Sequence, residues 1–318
     1  MGLFSKKPPT TALILDIENG SVGSCLVKLA PGQAPQLFGE ARTAVPLMDT
    51  RSAASLSRAV EHAASESLLQ ASEVAARLRH YGGVAPVSRV VLFLSAPWGV
   101  PNLQAGRPDF ITAITDTLAP RIASLFGGVP TAVHAHASAA VHGLRALYPH
   151  EPNALLVSVN GEVSELIVLK DSHVAGHATV PIGLGHILRT LKAHAGLSEH
   201  EARSAMRLHH MNEALAAAAG HFAGEFKHAA HDLFTGQGSS TVFVLAPETT
   251  SEWFARSLAH PSLVELFPQG GIVRTLRSHH AAPYVSASHA PDIHLSLNAM
   301  YTSAALGHNH RGEAHRSA

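Results

Sequence analysis

The strongest constraint on the fold is an internal repeat. Residues 12–29 read ALILDIENGSVGSCLVKL, and residues 154–170 read ALLVSVNGEVSELIVLK. Each segment is an apolar run, a short polar turn and a second apolar run, the pattern of a β-hairpin. A third strand pattern follows each hairpin, and helical patterns follow that strand. Two such units in one chain predict a duplicated α/β fold of two domains.

Alignment of the two turns places Asp16 opposite Ser158 and Gly20 near Gly161. An acidic residue at a hairpin turn is common scaffolding, because Asx side chains stabilise turns. The same arrangement also opens one large class of nucleotide-binding folds. The turn alone does not decide between these interpretations.

The length of 318 residues agrees with two domains. A stretch at residues 148–153, YPHEPN, has the composition of a linker, and the Pro/Gly-rich passage WGVPNLQAGRP at residues 98–108 is predicted to be a loop. The predicted organisation is a basic and polar tail (1–11), a first domain (12–150), a second domain (151–291), a helix returning to the first domain (292–307) and a His-rich disordered tail (308–318).

Composition lowers the expectation of several function classes. The 23 basic and 23 acidic residues cancel, so no net field would recruit nucleic acid. The single cysteine, Cys25, excludes an internal disulfide and lies in an apolar strand pattern, where a buried thiol is expected. No apolar run reaches the roughly 20 residues that span a bilayer, and the N-terminus does not read as a secretory signal. We therefore expect a cytoplasmic protein.

Histidine is unusually frequent, with 24 residues. Pairs occur at His134/His136, His209/His210 and His279/His280, and more lie in the tail, but they are scattered and no HExxH motif is present. The pattern favours histidine at polar surface positions, and no metal site is predicted. A His-based metal-binding protein remains the alternative.

Several ordered motifs together resemble the actin-like ATPase superfamily, with its ribonuclease H-like duplicated two-domain fold, and within it the bacterial FtsA/PilM-like branch. MGLFSKKPPTTALILDIENGSVGSCLVKL resembles the basic tail and first phosphate loop of that branch. HAHASAAVHGL resembles its Ala-rich helix, VPIGLGHILRTL its Pro-Ile-Gly-Gly helix start, and LSEHEARSAM its acid-Ala segment. The resemblance spans residues 12 to 307.

The resemblance implies that ATP and magnesium would lie between the halves, held by the two hairpin turns. If the protein is active, Asp16 with Glu162 or Glu165 would be catalytic. The nucleotide-binding positions it implies are Asp16, Asn19, Gly20, Ser21, Ser158, Gly161, Glu162, Ser164 and Gly183.

The sequence departs from the family pattern at the positions that would bind phosphate, magnesium and adenine. Glu18 replaces a glycine of the first loop, and Ser158 replaces the expected aspartate of the second, although serine cannot hold magnesium as a carboxylate does. A Gly-Gly turn near adenine is replaced by Ala246-Pro247, whose Cβ atoms and missing N–H oppose close approach. These changes favour a scaffold with weak or no hydrolysis; the alternative is a working Mg-ATPase or small-molecule kinase.

The resemblance also implies partners. PilM-like proteins hold a cytoplasmic peptide of a membrane assembly protein, and FtsA-like proteins hold the tail of a filament protein; self-association is left open. Residues 96–128 read as a reduced insertion subdomain, with Trp98 as the candidate partner contact and a packing role as the alternative. The tail GHNHRGEAHRSA lacks apolar anchors, so association with the inner membrane would occur through a partner rather than by insertion.

Overall fold

The computed structural model describes residues 8–47, 52–96, 98–102, 107–110, 113–208, 213–231, 233, 241–266 and 271–314. The first half contains, in chain order, β1 (Thr10–Ile17), β2 (Ser21–Leu29), β3 (Gln36–Ala44), α1 (Ala53–His80), β4 (Val87–Leu94), β5 (Gly99–Asn102), β6 (Arg107–Phe110), α2 (Ala113–Phe126), β7 (Thr131–Ala135) and α3 (His136–Leu147). Its main sheet has the strand order β3-β2-β1-β4-β7.

The second half repeats this plan. It contains β8 (Ala154–Val159), β9 (Ser164–Lys170), β10 (His173–Val180), α4 (Leu184–Ala195), α5 (Glu199–Leu208), α6 (Glu213–His231), β11 (Thr241–Leu245), α7 (Ser251–Leu258), a 3-10 helix (Pro261–Leu266), β12 (Ile272–Thr275) and α8 (Ser278–Ala281). The strand order β10-β9-β8-β11-β12 is that of the first sheet. The predicted duplicated α/β fold is therefore confirmed.

Both sheets are buried on both faces, which explains why their central strands are continuously apolar. Along β1, Leu13, Leu15 and Ile17 point to an outer core shared with α1 and α2, whereas Ala12 and Ile14 point inwards. The outer core of the second sheet is formed with α4 to α7. The two hairpins thus present their turns at the centre of the molecule.

Two helices fill the layer between the sheets. They are α3 and the C-terminal helix α9 (Ile293–Ala314), which pack against each other. The core around them draws residues from both sheets, among them Ile14, Leu156 and Phe243. Helix α9 also contacts β1 and β2. Its helical backbone continues to Ala314, beyond the end at residue 307 expected from the sequence.

The Pro/Gly-rich passage that was expected to be a loop contains the two-stranded hairpin β5–β6, in which Pro101 faces Pro108. A two-stranded ribbon consists of edge strands, and edge strands tolerate proline. This expectation was therefore wrong; helix α2 begins after the ribbon, at Ala113.

Trp98 lies in the outer core of the first half, with 5% of its surface exposed, beside Leu118 and Ile122. This environment matches the packing role that was the alternative to partner binding. Among the helices described, none is both long and apolar enough to cross a membrane.

Candidate functional site

The two hairpin turns touch each other at the centre of the molecule. A Cβ atom added to Gly161 would lie 2.4 Å from the Cα of Gly20, and one added to Gly20 would lie 2.7 Å from the Cα of Gly161. Such distances are far below van der Waals contact, so only glycine fits at either position. The turns that the resemblance assigns to phosphate binding are packed backbone to backbone.

Hydrogen bonds close this junction further. The side-chain oxygen of Asn19 accepts a bond of 2.5 Å from the N–H of Glu162, while its Nδ2 donates to the carbonyl of Ala96 at 2.7 Å. The carbonyl of Asn160 accepts from the N–H of Leu184 at 2.8 Å, and that of Gly161 accepts from Gly185 at 2.5 Å. Backbone donors at the second turn and at the start of α4 are therefore engaged within the protein.

The first turn carries a network of charges built around Arg42. Across the first three strands, Asp16 faces Gly23 and Gly23 faces Arg42. A Cβ on Gly23 would lie 2.9 Å from Nη2 of Arg42. Because glycine has no Cβ, the Arg42 guanidinium has room to cross this position and reach Asp16. Nη2 of Arg42 donates to Oδ2 of Asp16 at 2.7 Å, and Nε donates to Oδ2 of Asp292 at 2.9 Å. Glu18 Oε1 lies 3.6 Å from Nη1.

Two buried histidines complete the network. Nδ1 of His136 lies 3.2 Å from Oδ1 of Asp16, and Nδ1 of His294 lies 3.0 Å from Oε1 of Glu18. The imidazole rings are stacked with their centroids 5.2 Å apart. His136 is the first residue of α3, and His294 lies in the first turn of α9, so the two inner helices bring both rings to the end of β1.

The pKa values of Asp16 and His136 are shifted because the two side chains lie so close together. Burial opposes the charge of Asp16, but the charges of His136 and Arg42 outweigh it and lower the pKa of Asp16 below its ordinary value. Burial likewise opposes protonation of His136, but the Asp16 carboxylate raises the pKa of His136 to about 9. Both groups are therefore charged at neutral pH.

The equivalent position in the second turn has no charge. Ser158 is fully buried, and its Oγ has no hydrogen-bond partner within the part of the chain that the structure describes. Glu165 faces Ser158 across the strand pair and lies 3.4 Å from both Asn160 Nδ2 and His177 Nε2. The acid that the resemblance expects at this turn is displaced to the neighbouring strand.

The remaining predicted site residues have structural partners. Ser21 accepts a hydrogen bond of 2.9 Å from Arg42, and Glu162 forms an ion pair with both terminal nitrogens of Arg189. Ser164 donates to the carbonyl of Ile182 at 2.6 Å. Gly183 caps α4 and packs against the carbonyl of Asn160.

A cleft of about 360 Å³ opens beside the junction. Both turns line it, together with Leu47, Arg203 and Pro247. The carbonyl of Pro247 accepts from Thr250 and Ser251, which places the start of α7 where the family pattern has Gly-Gly.

Magnesium and a nucleoside triphosphate do not fit these residues in the closed arrangement of the two turns. The turns leave no gap for phosphates, the amide of Glu162 is occupied by Asn19, and Ser158 offers no carboxylate. Arg42 already holds one oxygen of Asp16.

The sequence analysis missed Arg42, Asp292 and His294 and noted His136 only as one of a scattered pair. Arg42 could have been found by extending the hairpin register across β3, because it lies two strands from Asp16. His136, His294 and Asp292 reach the turn through the packing of α3 and α9, which no spacing in the sequence encodes.

Comparison with solved structures shows the fold. PilM in the PilM-PilN type IV pilus biogenesis complex has 14% identical residues and a TM-score of 0.61, with 92% of this chain and 98% of that chain covered. Ethanolamine utilization protein EutJ from Carboxydothermus hydrogenoformans has 11% identical residues and a TM-score of 0.55, with 93% and 90% covered. No family model and no curated protein matches the sequence. The chain has the actin-like ATPase fold.

Proposed function

We propose that this protein is an actin-fold scaffold on the cytoplasmic face of the membrane, which organises a type IV pilus or division-type machine and hydrolyses little or no ATP. The observation that carries the proposal is the closed junction between the two turns, in which Gly20 contacts Gly161 and Asn19 occupies the amide of Glu162. A fold of this kind does not by itself confer activity.

Electrostatics support the loss of nucleotide chemistry. The carboxylates of Asp16, Glu18 and Asp292 at the first turn outnumber the two cations beside them, Arg42 and His136. A triphosphate entering between the turns would face this excess of negative charge and would have to break the Asn19–Glu162 hydrogen bond. Phosphate sites in proteins instead present free N–H groups and cations.

The likeness to PilM supports the choice of partner. PilM was solved in the PilM-PilN type IV pilus biogenesis complex. The structural match to it covers nearly the whole of this chain and of that one. The partner we propose is accordingly a cytoplasmic peptide of a membrane assembly protein, which would keep the protein peripheral to the membrane. The tail of a filament protein is the other candidate.

One observation favours a second function, a working Mg-ATPase or small-molecule kinase. Asp16 is ionised at the first turn, and a cleft of about 360 Å³ is lined by the neighbouring residues Glu18 to Ser21, although Asp16 itself is fully buried. An opened form of the junction would be required for such activity.

Isothermal titration with Mg-ATP, combined with a phosphate-release assay, separates the two functions. The scaffold predicts no heat of binding at micromolar nucleotide and no phosphate release above that of the Asp16→Asn variant. Micromolar binding with turnover that is lost in Asp16→Asn would establish the ATPase instead. Equal turnover in both proteins would identify a contaminating activity.

Affinity purification of the full chain from its host tests the partner. Mass spectrometry of the recovered material is expected to identify a membrane assembly protein or a filament protein that is absent when the tag alone is the bait. Recovery of the protein alone, as a monomer, would contradict the scaffold.

A further inference from the structure

The network at the first turn contains three side chains with the geometry of a metal centre. Asp16, His136 and His294 each offer one ligand atom, and these atoms lie within 4.8 Å of one another. Ligands that share one ion at about 2.0–2.2 Å lie roughly 3–4 Å apart, so small side-chain rotations would bring the three atoms onto a single ion. The residues come from three elements, the end of β1 and the starts of α3 and α9.

Unpartnered atoms at this point are an independent observation. Oδ1 of Asp16, Nδ1 of His136, Nε2 of His294 and Oε1 of Glu18 are buried, and none has a hydrogen-bond partner among the residues described. Oδ1 of Asp16 faces Nδ1 of His136 at 3.2 Å, and Oε1 of Glu18 faces Nδ1 of His294 at 3.0 Å, as ion-pair contacts without the alignment of a hydrogen bond. Buried polar atoms that make no hydrogen bond are rare and costly, and a bound cation would supply the missing interaction.

The charge of the cluster points in the same direction. A metal ligand must be a neutral imidazole, so in the metal-bound form the carboxylates of Asp16, Glu18 and Asp292 contribute −3 and Arg42 contributes +1, which leaves −2. Arg42 binds Oδ2 of Asp16, and Oδ1 is the oxygen that faces His136. A divalent cation would neutralise the cluster.

We propose that Asp16, His136 and His294 form a binding site for a divalent transition-metal ion, with the Glu18 carboxylate as the fourth ligand group. Two imidazoles with carboxylates suit zinc and its neighbours among the divalent metals, whereas magnesium and calcium prefer oxygen ligands. The site is thus chemically distinct from the magnesium site of a nucleotide-binding fold, and it does not depend on the scaffold function.

Such an ion would act as a structural clasp. The three ligand residues are between 0 and 3% exposed, and a site closed by four protein ligands is the form that structural zinc takes. The ion would tie the first turns of α3 and α9 to the end of β1. It would therefore hold the two helices that fill the layer between the sheets in place at the end nearest the hairpin junction.

Zinc titration of the full-length protein tests the site. Histidines of the C-terminal tail are first removed as competing ligands by His308→Ser, His310→Ser and His315→Ser. This protein is expected to retain one equivalent of zinc through dialysis and to show a higher thermal unfolding midpoint with zinc than with EDTA. His136→Asn or His294→Asn is expected to lower the zinc affinity at least 100-fold, whereas His173→Asn, at an exposed histidine on β10, leaves it unchanged.

A second measurement needs no variant within the cluster. X-ray absorption of the zinc-loaded protein, again with the tail substitutions, is expected to report two imidazole nitrogens in the coordination shell, with oxygen completing it. Absence of a retained equivalent, a shell with no imidazole, or an equivalent that a folded His294→Asn protein still binds would each overturn the site.

Discussion

The two hairpin turns have the same backbone frame and opposite electrostatic character. At the first turn, Asp16 is buried among Arg42, His136 and Glu18. At the second, the neutral Ser158 occupies the equivalent position, and its hydroxyl is unpaired within the described part of the chain. The strand order is the same in both halves, but the second turn's charged groups, Glu162 and Glu165, pair with Arg189 and His177 on neighbouring elements instead of meeting in one cluster.

This difference separates a contact made by backbone from a network made by side chains. Contact between Gly20 and Gly161 needs only glycine at both positions and matched turns, so it uses the symmetry of the duplication. The charge network needs α3 and α9, which reach the first turn and supply His136 and His294. The proposed metal site therefore belongs to the first turn.

The largest effect is expected from removing the cation of the first turn. Arg42→Met leaves Asp16 and Glu18 buried without their fixed counter-charge, which should lower the free energy of unfolding by about 3 kcal/mol. Urea denaturation in EDTA measures this change. Arg203→Met is the matched control, because Arg203 forms a half-exposed pair with Glu199 on α5 worth about 0.3–0.5 kcal/mol. Equal losses in the two variants would show that the first turn does not depend on its charges.

Much of the fold was predictable because it is encoded in local patterns. The apolar runs and turn residues around Asn19 and Gly161 predicted both hairpins, and the helical patterns after the third strands predicted the helices that follow them. The order of elements then indicated the actin-like fold, which the structural likeness confirms. Strand β12 was missed, since its four residues alternate between exposed and half-buried positions and lie in a mixed stretch.

The candidate site was predictable only in part. The repeat aligns Asp16 with Ser158, and each is the next-to-last residue of the first strand of its hairpin. That alignment already indicated the loss of a second carboxylate. The closure of the junction was not visible, because it depends on how two distant turns approach. Asp292 lies 250 positions from Arg42 and His294 two further along the chain, and their convergence is a property of tertiary packing.

A smaller loss is expected from forcing the turns apart. Gly161→Ala places a Cβ 2.4 Å from Gly20 Cα and 2.5 Å from Gly20 N, and backbone cannot yield as a flexible side chain does. We expect this overpacking to cost about 2 kcal/mol. Thermal and urea unfolding of the variant would measure it.

Helix α6 supplies the control for the Gly161 variant. A Cβ at Gly224 meets nothing within 4 Å among the described residues, so Gly224→Ala should be neutral or stabilising by up to about 1 kcal/mol through helix propensity. A Gly161→Ala protein as stable as Gly224→Ala would mean that the turns separate freely in solution. The closed junction would then no longer argue against nucleotide binding.

The smallest effect is expected at the second turn itself. Ser158→Ala removes a buried hydroxyl whose Oγ has no partner in the residues described, so the free energy of unfolding should change by less than about 1 kcal/mol, with stabilisation as the favoured sign. Ser164→Ala is the control on β9, since its hydroxyl donates a buried bond of 2.6 Å to Ile182 and its loss should cost about 1–2 kcal/mol. Chemical denaturation of both variants tests the pair. A larger loss at Ser158 than at Ser164 would mean that the Ser158 hydroxyl binds a water or ligand in solution, and the second turn would regain a claim to function.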